Sequence, residues 1–218
     1  GVRRAQERNI PIATIGTPAA QETFLRTGVD YTETGYLVAK AVAEAIGGKG
    51  EVIIIEGPPG AENAIERLDG NRTAFSEYPD IKIVASQTAN FRRTEGMQVT
   101  ENLLQAHPNV DALVAANDES ALGAIQALRA AGKTNVVVGG FDGNMDGAQA
   151  IRDGQMLLSY NTDPFGSAYL AAVYIVQYLM DGTKPPQYFV PFPSALNDPL
   201  ITQDNVDDYM KNVAWWNY

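Results

Sequence analysis

An open α/β fold with parallel sheets is predicted by three observations. Short apolar runs recur from end to end with helical patterns between them, the spacing of βαβ units. The run Val136-Val137-Val138 ends in Gly139-Gly140-Phe141-Asp142-Gly143. It sets a carboxylate at a strand tip, the edge where open α/β sheets bind small ligands. Other strand ends deliver polar or aromatic residues to what should be the same edge.

The elements follow in order. Residues 10–15 read as a strand. A helix is predicted over 32–46, with Leu37, Val38, Ala41, Val42, Ala45 and Ile46 on one face and Gly47-Gly48 as its stop. Residues 52–55 form a buried strand, 61–77 a helix and 81–85 a strand. The helix over 94–106 points Met97, Leu103 and Leu104 inward, and 112–116 is the next strand. Asp118 suits an N-cap, with Glu119 in the first turn of a helix that ends near Gly132. Strands are expected at 136–138 and 156–160. Asp163-Pro164 opens an apolar helix to about Met180, with proline in its first turn. A short run at 188–190 lies within the Pro-rich piece 185–199, which reads as a crossover or linker. Residues 1–7 read as helix interior, so the sequence is expected to begin in mid-fold.

Composition narrows the function. A net charge of −10 over 218 residues disfavours nucleic acid or an anionic membrane as partner, since both call for basic patches. There is no cysteine for a disulfide or thiolate, and one histidine leaves no multi-histidine metal site. The sequence shows no signal peptide, and its longest apolar helix is short for a bilayer.

Local motifs resolve mostly to structure. Gly57-Pro58-Pro59-Gly60 lacks the Lys-Ser/Thr of a phosphate loop, and its prolines remove backbone donors; it reads as a tight β–α turn. Asp142-Gly143-Asn144-Met145-Asp146-Gly147 opens like a calcium loop but has Asp153 where a bidentate Glu belongs. Asp142 is read instead as a ligand contact, and Asn144 or Asp146 as the start of a helix. His107, before Pro108, is read as a solvated turn histidine. No nucleophile elbow is present, and no cofactor or metal is expected. What remains is Arg67, Phe91, Asn117, Asp142 and Asn161. Singly, Arg67 suits a helix surface, Phe91 a core and Asn117 a cap. Together they suit a polyhydroxylated ligand. A guanidinium and a carboxylate bind neighbouring hydroxyls, amides donate and accept, and an aromatic face covers C–H groups.

Several segments carry a family resemblance. They are Ile10-Pro11-Ile12-Ala13-Thr14-Ile15, Glu66-Arg67-Leu68-Asp69-Gly70, Ala85-Ser86-Gln87-Thr88-Ala89-Asn90-Phe91, residues 102–110, Ala116-Asn117-Asp118-Glu119-Ser120-Ala121-Leu122-Gly123-Ala124 and Val138-Gly139-Gly140-Phe141-Asp142-Gly143. In this order they resemble the periplasmic sugar-binding proteins of ABC importers, ribose-binding type. The resemblance implies a two-lobed α/β fold, each lobe a parallel doubly wound sheet. Residues 1–28 and 162–193 would be the remnant of an incomplete N-terminal lobe, and 29–161 with 194–218 the C-terminal lobe. The chain would cross between lobes near 27–30, 160–163 and 193–197. Arg67, Phe91, Asn117, Asp142 and Asn161 would bind a sugar or polyol in the cleft. The implied partners are the importer's permease and a chemoreceptor, in the periplasm or, lipid-anchored, outside a bacterium with no outer membrane. Two departures stand out. Gly16-Thr17 replaces the Asp-Arg usual after the first strand of a ribose binder, which puts ribose itself in question. The first strands of the amino-terminal lobe, with their cleft-lining Asn and Phe, are expected to be missing. The rival reading is the effector domain of a LacI-type transcriptional regulator, which shares the fold.

Overall fold

Successive side chains of a strand point to opposite faces, so Val52-Ile53-Ile54-Ile55 can be buried throughout only in a sheet covered on both sides. The computed structural model describes residues 1–186, 189–191 and 198–217, the side chains of 189–191 excepted. It places that run in β3 (Lys49–Glu56), inside a six-stranded sheet. Its neighbours are β4 (Asp80–Thr88), β5 (Ala112–Ala115), β6 (Val137–Asp142), β7 (Leu158–Asn161) and β9 (Leu200–Thr202), in the order β4-β3-β5-β6-β7-β9. All pairs are parallel except the last, where β9 runs antiparallel to β7.

Helices cover both faces. Ile53, Ile55 and Leu113 pack with Val99 and Leu104 of α4 (Arg93–Ala106), Ile125 and Leu128 of α5 (Asp118–Ala130) and Ile151 of α6 (Met145–Arg152). Val52, Ile54 and Val114 pack on the other face with Val38 and Val42 of α2 (Tyr31–Ala45) and Phe75 of α3 (Glu62–Ser76). The chain reverses direction across the sheet at β3, between β4 and β5. Such a switch point opens a crevice at the carboxyl ends of the strands.

A second sheet is smaller. It joins β1 (Ala13–Ile15), β2 (Leu25–Gly28) and β8 (Phe189–Pro191), all parallel and in that order. The helix α7 (Pro164–Asp181) packs on β1 and β2, capped by Asp163, with Pro164 at its start and Gly182 in the left-handed region at its end. Its outer face leaves Tyr169, Val176, Leu179 and Met180 exposed. A short helix α1 (Val2–Gln6) precedes this sheet. The chain passes from the small sheet to the large one between β2 and α2, and back between β7 and α7. The third crossing, expected around 193–197, lies outside the described residues. After β9 come α8 (Val206–Asp208), a π-helical turn at Tyr209–Val213 and a 3-10 turn at Trp215–Asn217.

Besides β9, for which the sequence reading has no strand, three details differ from it. The strand β2 was not foreseen, because Leu25-Arg26-Thr27-Gly28 has no apolar run, yet Leu25, Thr27 and Gly28 are buried. The buried face of α2 is rotated: Gly35, Ala39 and Ala43 are covered and Ala45 is exposed. The cause is α3, which packs beside α2 so closely that a Cβ at Gly35 would strike the Arg67 carbonyl and one at Gly70 the Thr32 carbonyl. The pair α4 and α5 meets in the same way, Gly123 on the Arg93 carbonyl and Gly96 on that of Ser120. Finally, Asp118 is not the cap of α5; Asn117 is, its side chain accepting from the Ser120 amide.

Backbone contact of this kind leaves no room for a methyl group. Gly123→Ala is expected to destabilise the protein by about 1–3 kcal/mol, the usual cost of overpacking, as a lowered urea midpoint with an unchanged slope.

Candidate functional site

All five residues singled out in the sequence follow strands of the large sheet, at its carboxyl edge. Arg67 is on α3 after β3, Phe91 follows β4, Asn117 follows β5, Asp142 ends β6 and Asn161 ends β7. Asp142 and Asn161 are register partners across β6 and β7. Among the described residues five non-glycine residues have positive φ, and four of them, Asn90, Phe91, Asp142 and Asp163, lie along this edge. Backbone strain of this kind persists only where surrounding contacts over-determine it, and it clusters at functional sites.

Arg67 is not the helix-surface charge that its position in α3 suggests; it is 3% exposed. Its guanidinium carbon lies 4.9 Å from the Tyr31 ring centroid and 4.8 Å from that of Phe141. Both rings offer their electron-rich faces to a cation. Nη1 donates to the Ala116 carbonyl at 2.5 Å, and Nη2 to Asp142 Oδ1 at 3.2 Å. Nε is buried with no hydrogen-bond partner among the described residues. The buried donors and paired rings fix the plane of the guanidinium.

Phe91 sits in a turn in which both Asn90 and Phe91 are left-handed, with φ of 51° and 61°. Asn90 is held by its own side chain, which donates to Glu95 at 2.6 Å, and Thr88 Oγ1 accepts from its backbone amide at 3.2 Å. The Phe91 ring lies over Gly57, where a Cβ would strike it. This gives the Gly-Pro-Pro-Gly turn a packing role. Phe91 is half-buried. Asn117 Nδ2 donates to the Phe91 carbonyl at 3.2 Å, while Oδ1 caps α5. The cap and the site therefore share one side chain, which keeps one amide hydrogen and one lone pair free of these bonds.

Asp142 has φ of 105°. Burial pushes its carboxyl up from the ordinary value, and the Arg67 guanidinium pulls it partly back. Asn161 is buried; its Oδ1 accepts from the Asp163 amide at 3.2 Å, and its Nδ2 has no hydrogen-bond partner among the described residues. Behind Asp142 lies Asp118, wholly buried. Burial, and then the charge of Asp142, drive its carboxyl well above the ordinary range, against the hydrogen bonds from Ser159 and the Asn144 amide. At the rim, Arg93 joins α4, α5 and α6, pairing with Glu119 at 2.9 Å and Asp146 at 2.7 Å.

Tyr31, Phe141 and Asp118 were not picked out as site residues. Tyr31 carries no local signal, since it is simply the first residue of a helix capped by Asp30. Phe141 belongs to the motif at 138–143, but its role needs the position of Arg67. The calcium-like pattern is a strand end followed by a helix cap: Asn144 Oδ1 accepts from the Gly147 amide at 2.7 Å. Among the described residues no group of three or more His, Cys, Asp or Glu could hold a metal ion, and no helix is long and apolar enough to cross a membrane.

A parallel doubly wound lobe, a second smaller sheet and a polar strand edge define a two-lobed binding-protein fold. The chain belongs to the periplasmic binding protein domain family, whose profile matches residues 1–184. It is 33% identical to the xylitol-binding protein of Mycolicibacterium smegmatis, over 98% of this chain and 60% of that protein. It is 39% identical to the ribose import binding protein RbsB of Escherichia coli, over 71% of this chain and 52% of that protein. The chain thus aligns with half to three fifths of these curated relatives. The crystal structure of an ABC transporter periplasmic solute-binding protein from Actinobacillus succinogenes, with bound D-allose, superposes with a TM-score of 0.87 at 35% identity. That match covers 95% of this chain and 75% of the other.

The buried carboxyl sets a pH dependence. A carboxyl whose folded pKa is raised favours folding most below its ordinary value of 3.8 and loses that contribution as pH rises through the folded value. Asp118→Asn removes the titration. The stability of the wild type relative to this variant is expected to fall as pH rises above the ordinary aspartate value of 3.8, read from paired thermal melts.

Proposed function

We propose that this protein is a solute-binding component of an ABC importer. It takes up a small sugar or polyol between two lobes, releases it unchanged to the permease, and works in the periplasm or at the outer cell surface. The lobes are 1–28 with 162–193, and 29–161 with 194–218. Arg67, Asp142 and Asn161 bind ligand hydroxyls, Asn117 adds its remaining donor and acceptor, and Phe91 covers an apolar face of the ligand. One observation carries this reading. Two buried donors that have no hydrogen-bond partner among the described residues, Arg67 Nε and Asn161 Nδ2, belong to the residue that pairs with the Asp142 carboxylate and to the register partner of Asp142. A buried donor left unmade costs about 1–3 kcal/mol, and a polyhydroxylated ligand supplies the missing acceptors. The relatives that bind xylitol, ribose and D-allose support the same ligand class.

The test is a thermal-shift and calorimetric screen with xylitol, D-ribose and D-allose, followed by analysis of the recovered ligand. A rise in melting temperature with saturable binding and unchanged ligand is expected, because a ligand that binds only the folded state stabilises it. No binding to any sugar or polyol, or conversion of the ligand, would overturn the proposal. Asp142→Ala is expected to weaken binding by about 2–4 kcal/mol, since charge-assisted partners are left desolvated. Phe91→Leu keeps bulk but loses the flat ring. Its affinity should fall while the apo melting temperature stays nearly constant; a drop of about 1–3 kcal/mol in apo stability would mark Phe91 as a core filler instead.

A further inference from the structure

The Asp118 carboxylate lies below the site, and its geometry ties it to the loop that carries Asp142. Oδ2 accepts from the Asn144 amide at 2.9 Å, and Oδ1 from the Ser159 hydroxyl at 2.6 Å. Ser159 Oγ in turn accepts from the Gly143 amide at 3.0 Å. From the far side, the Tyr209 hydroxyl donates to the Gly143 carbonyl at 2.5 Å. Both amides of the loop after Asp142 are therefore held by one buried carboxylate, one directly and one through a serine, and the intervening carbonyl is held by a tyrosine. Glycines enclose the arrangement. A Cβ at Gly140 or Gly147 would meet the Asp118 carboxyl, and one at Gly143 would meet Ile201 and the Tyr209 hydroxyl.

This loop follows a strained residue. Asp142 holds φ at 105° and Gly143 holds 67°. For a residue with a side chain such a backbone costs about 1–3 kcal/mol and needs external fixation. The fixation lies on the next two residues, and its outcome is the turn that brings Asp142 Oδ1 to Arg67. Among the described residues Asp118 makes no hydrogen bond to Arg67 or to Asp142. Its wholly buried position, which drives its carboxyl above the ordinary range, is costly for a residue that only supports a helix start; Asn117 already caps that helix.

We propose that Asp118 is a positioning residue of the binding site: it fixes Asn144 directly and Gly143 through Ser159, and so holds Asp142 turned toward Arg67. The inference rests on the solute-binding reading for its consequence, but its geometry can be tested without ligand. Asp118→Ala removes both acceptors. Ser159→Ala removes only the arm to Gly143. Asp118→Asn keeps an acceptor for the Asn144 amide and a group that hydrogen-bonds Ser159, so it is the conservative rescue.

The experiment measures amide hydrogen exchange and the 15N–1H resonances of the Arg67 guanidinium in the ligand-free chain, then affinity for xylitol, D-ribose and D-allose. In Asp118→Ala and Ser159→Ala, exchange at Gly143 should rise at least tenfold, and in Asp118→Ala also at Asn144. The Arg67 resonances should shift or broaden, and sugar affinity should fall at least tenfold. Asp118→Asn should restore all three toward wild type. If Asp118→Ala does not fold, Ser159→Ala gives the same reading. Unchanged Arg67 resonances in a folded variant would overturn the proposal. So would uniformly faster exchange across the large sheet, which marks a merely structural role. If the Arg67 resonances move and no probe binds even the wild type, the positioning role stands and the solute-binding reading fails.

Discussion

Arg67 brings together α2, α3, β5 and β6 through a single guanidinium. Tyr31 at the start of α2 and Phe141 in β6 face it from two sides, the Ala116 carbonyl after β5 takes one donor, and Asp142 takes another. A cation this deeply buried would be costly without partners. The rings and oxygens that meet it must hold their places, and the segments that carry them are held with it. The carboxyl edge of the large sheet is organised around this one requirement, from the approach of α2 to α3 to the strained backbone of Asp142.

The same constraint reaches the smaller sheet. A Cβ at Gly16, which follows β1, would meet the Tyr31 hydroxyl, so the small sheet abuts the ring that faces Arg67. Arg26 of β2 donates to the Gly16 carbonyl at 2.6 Å and lies 3.9 Å from Glu66, the neighbour of Arg67 on α3. The two sheets therefore meet beside the charged pair. Tyr31 and Glu66 thus stand where the two sheets come together.

Most of the large sheet was legible in the sequence because its physics is local. A β-branched run with helices on both flanks has few alternatives to a covered parallel strand, and β3, β5, β6 and β7 overlap the runs that predicted them. The caps at Asn144 and Asp163, and the stop at Gly47-Gly48, were legible for the same reason. What escaped depends on distant partners. The strand β2 is polar in part and is a strand because β1 and β8 pair with it on both sides. The rotation of α2 follows from glycine contacts with α3, which lies in a separate part of the chain. The antiparallel β9 lies just past the Pro-rich piece and exists through its pairing with β7.

The candidate site divides along the same line. The sequence by itself determined which strand ends carry polar groups, since the alternation of strands and helices in a parallel sheet puts Asn117, Asp142 and Asn161 at one edge. It could not determine what each group does there. Arg67 looks like any solvated arginine of a helix until Tyr31 and Phe141 close over it, and Asp118 looks like a cap until α6 and β7 bury it. Burial, unpartnered donors and backbone strain arise from contacts across 16 to 75 residues of chain, so only the tertiary structure decided them.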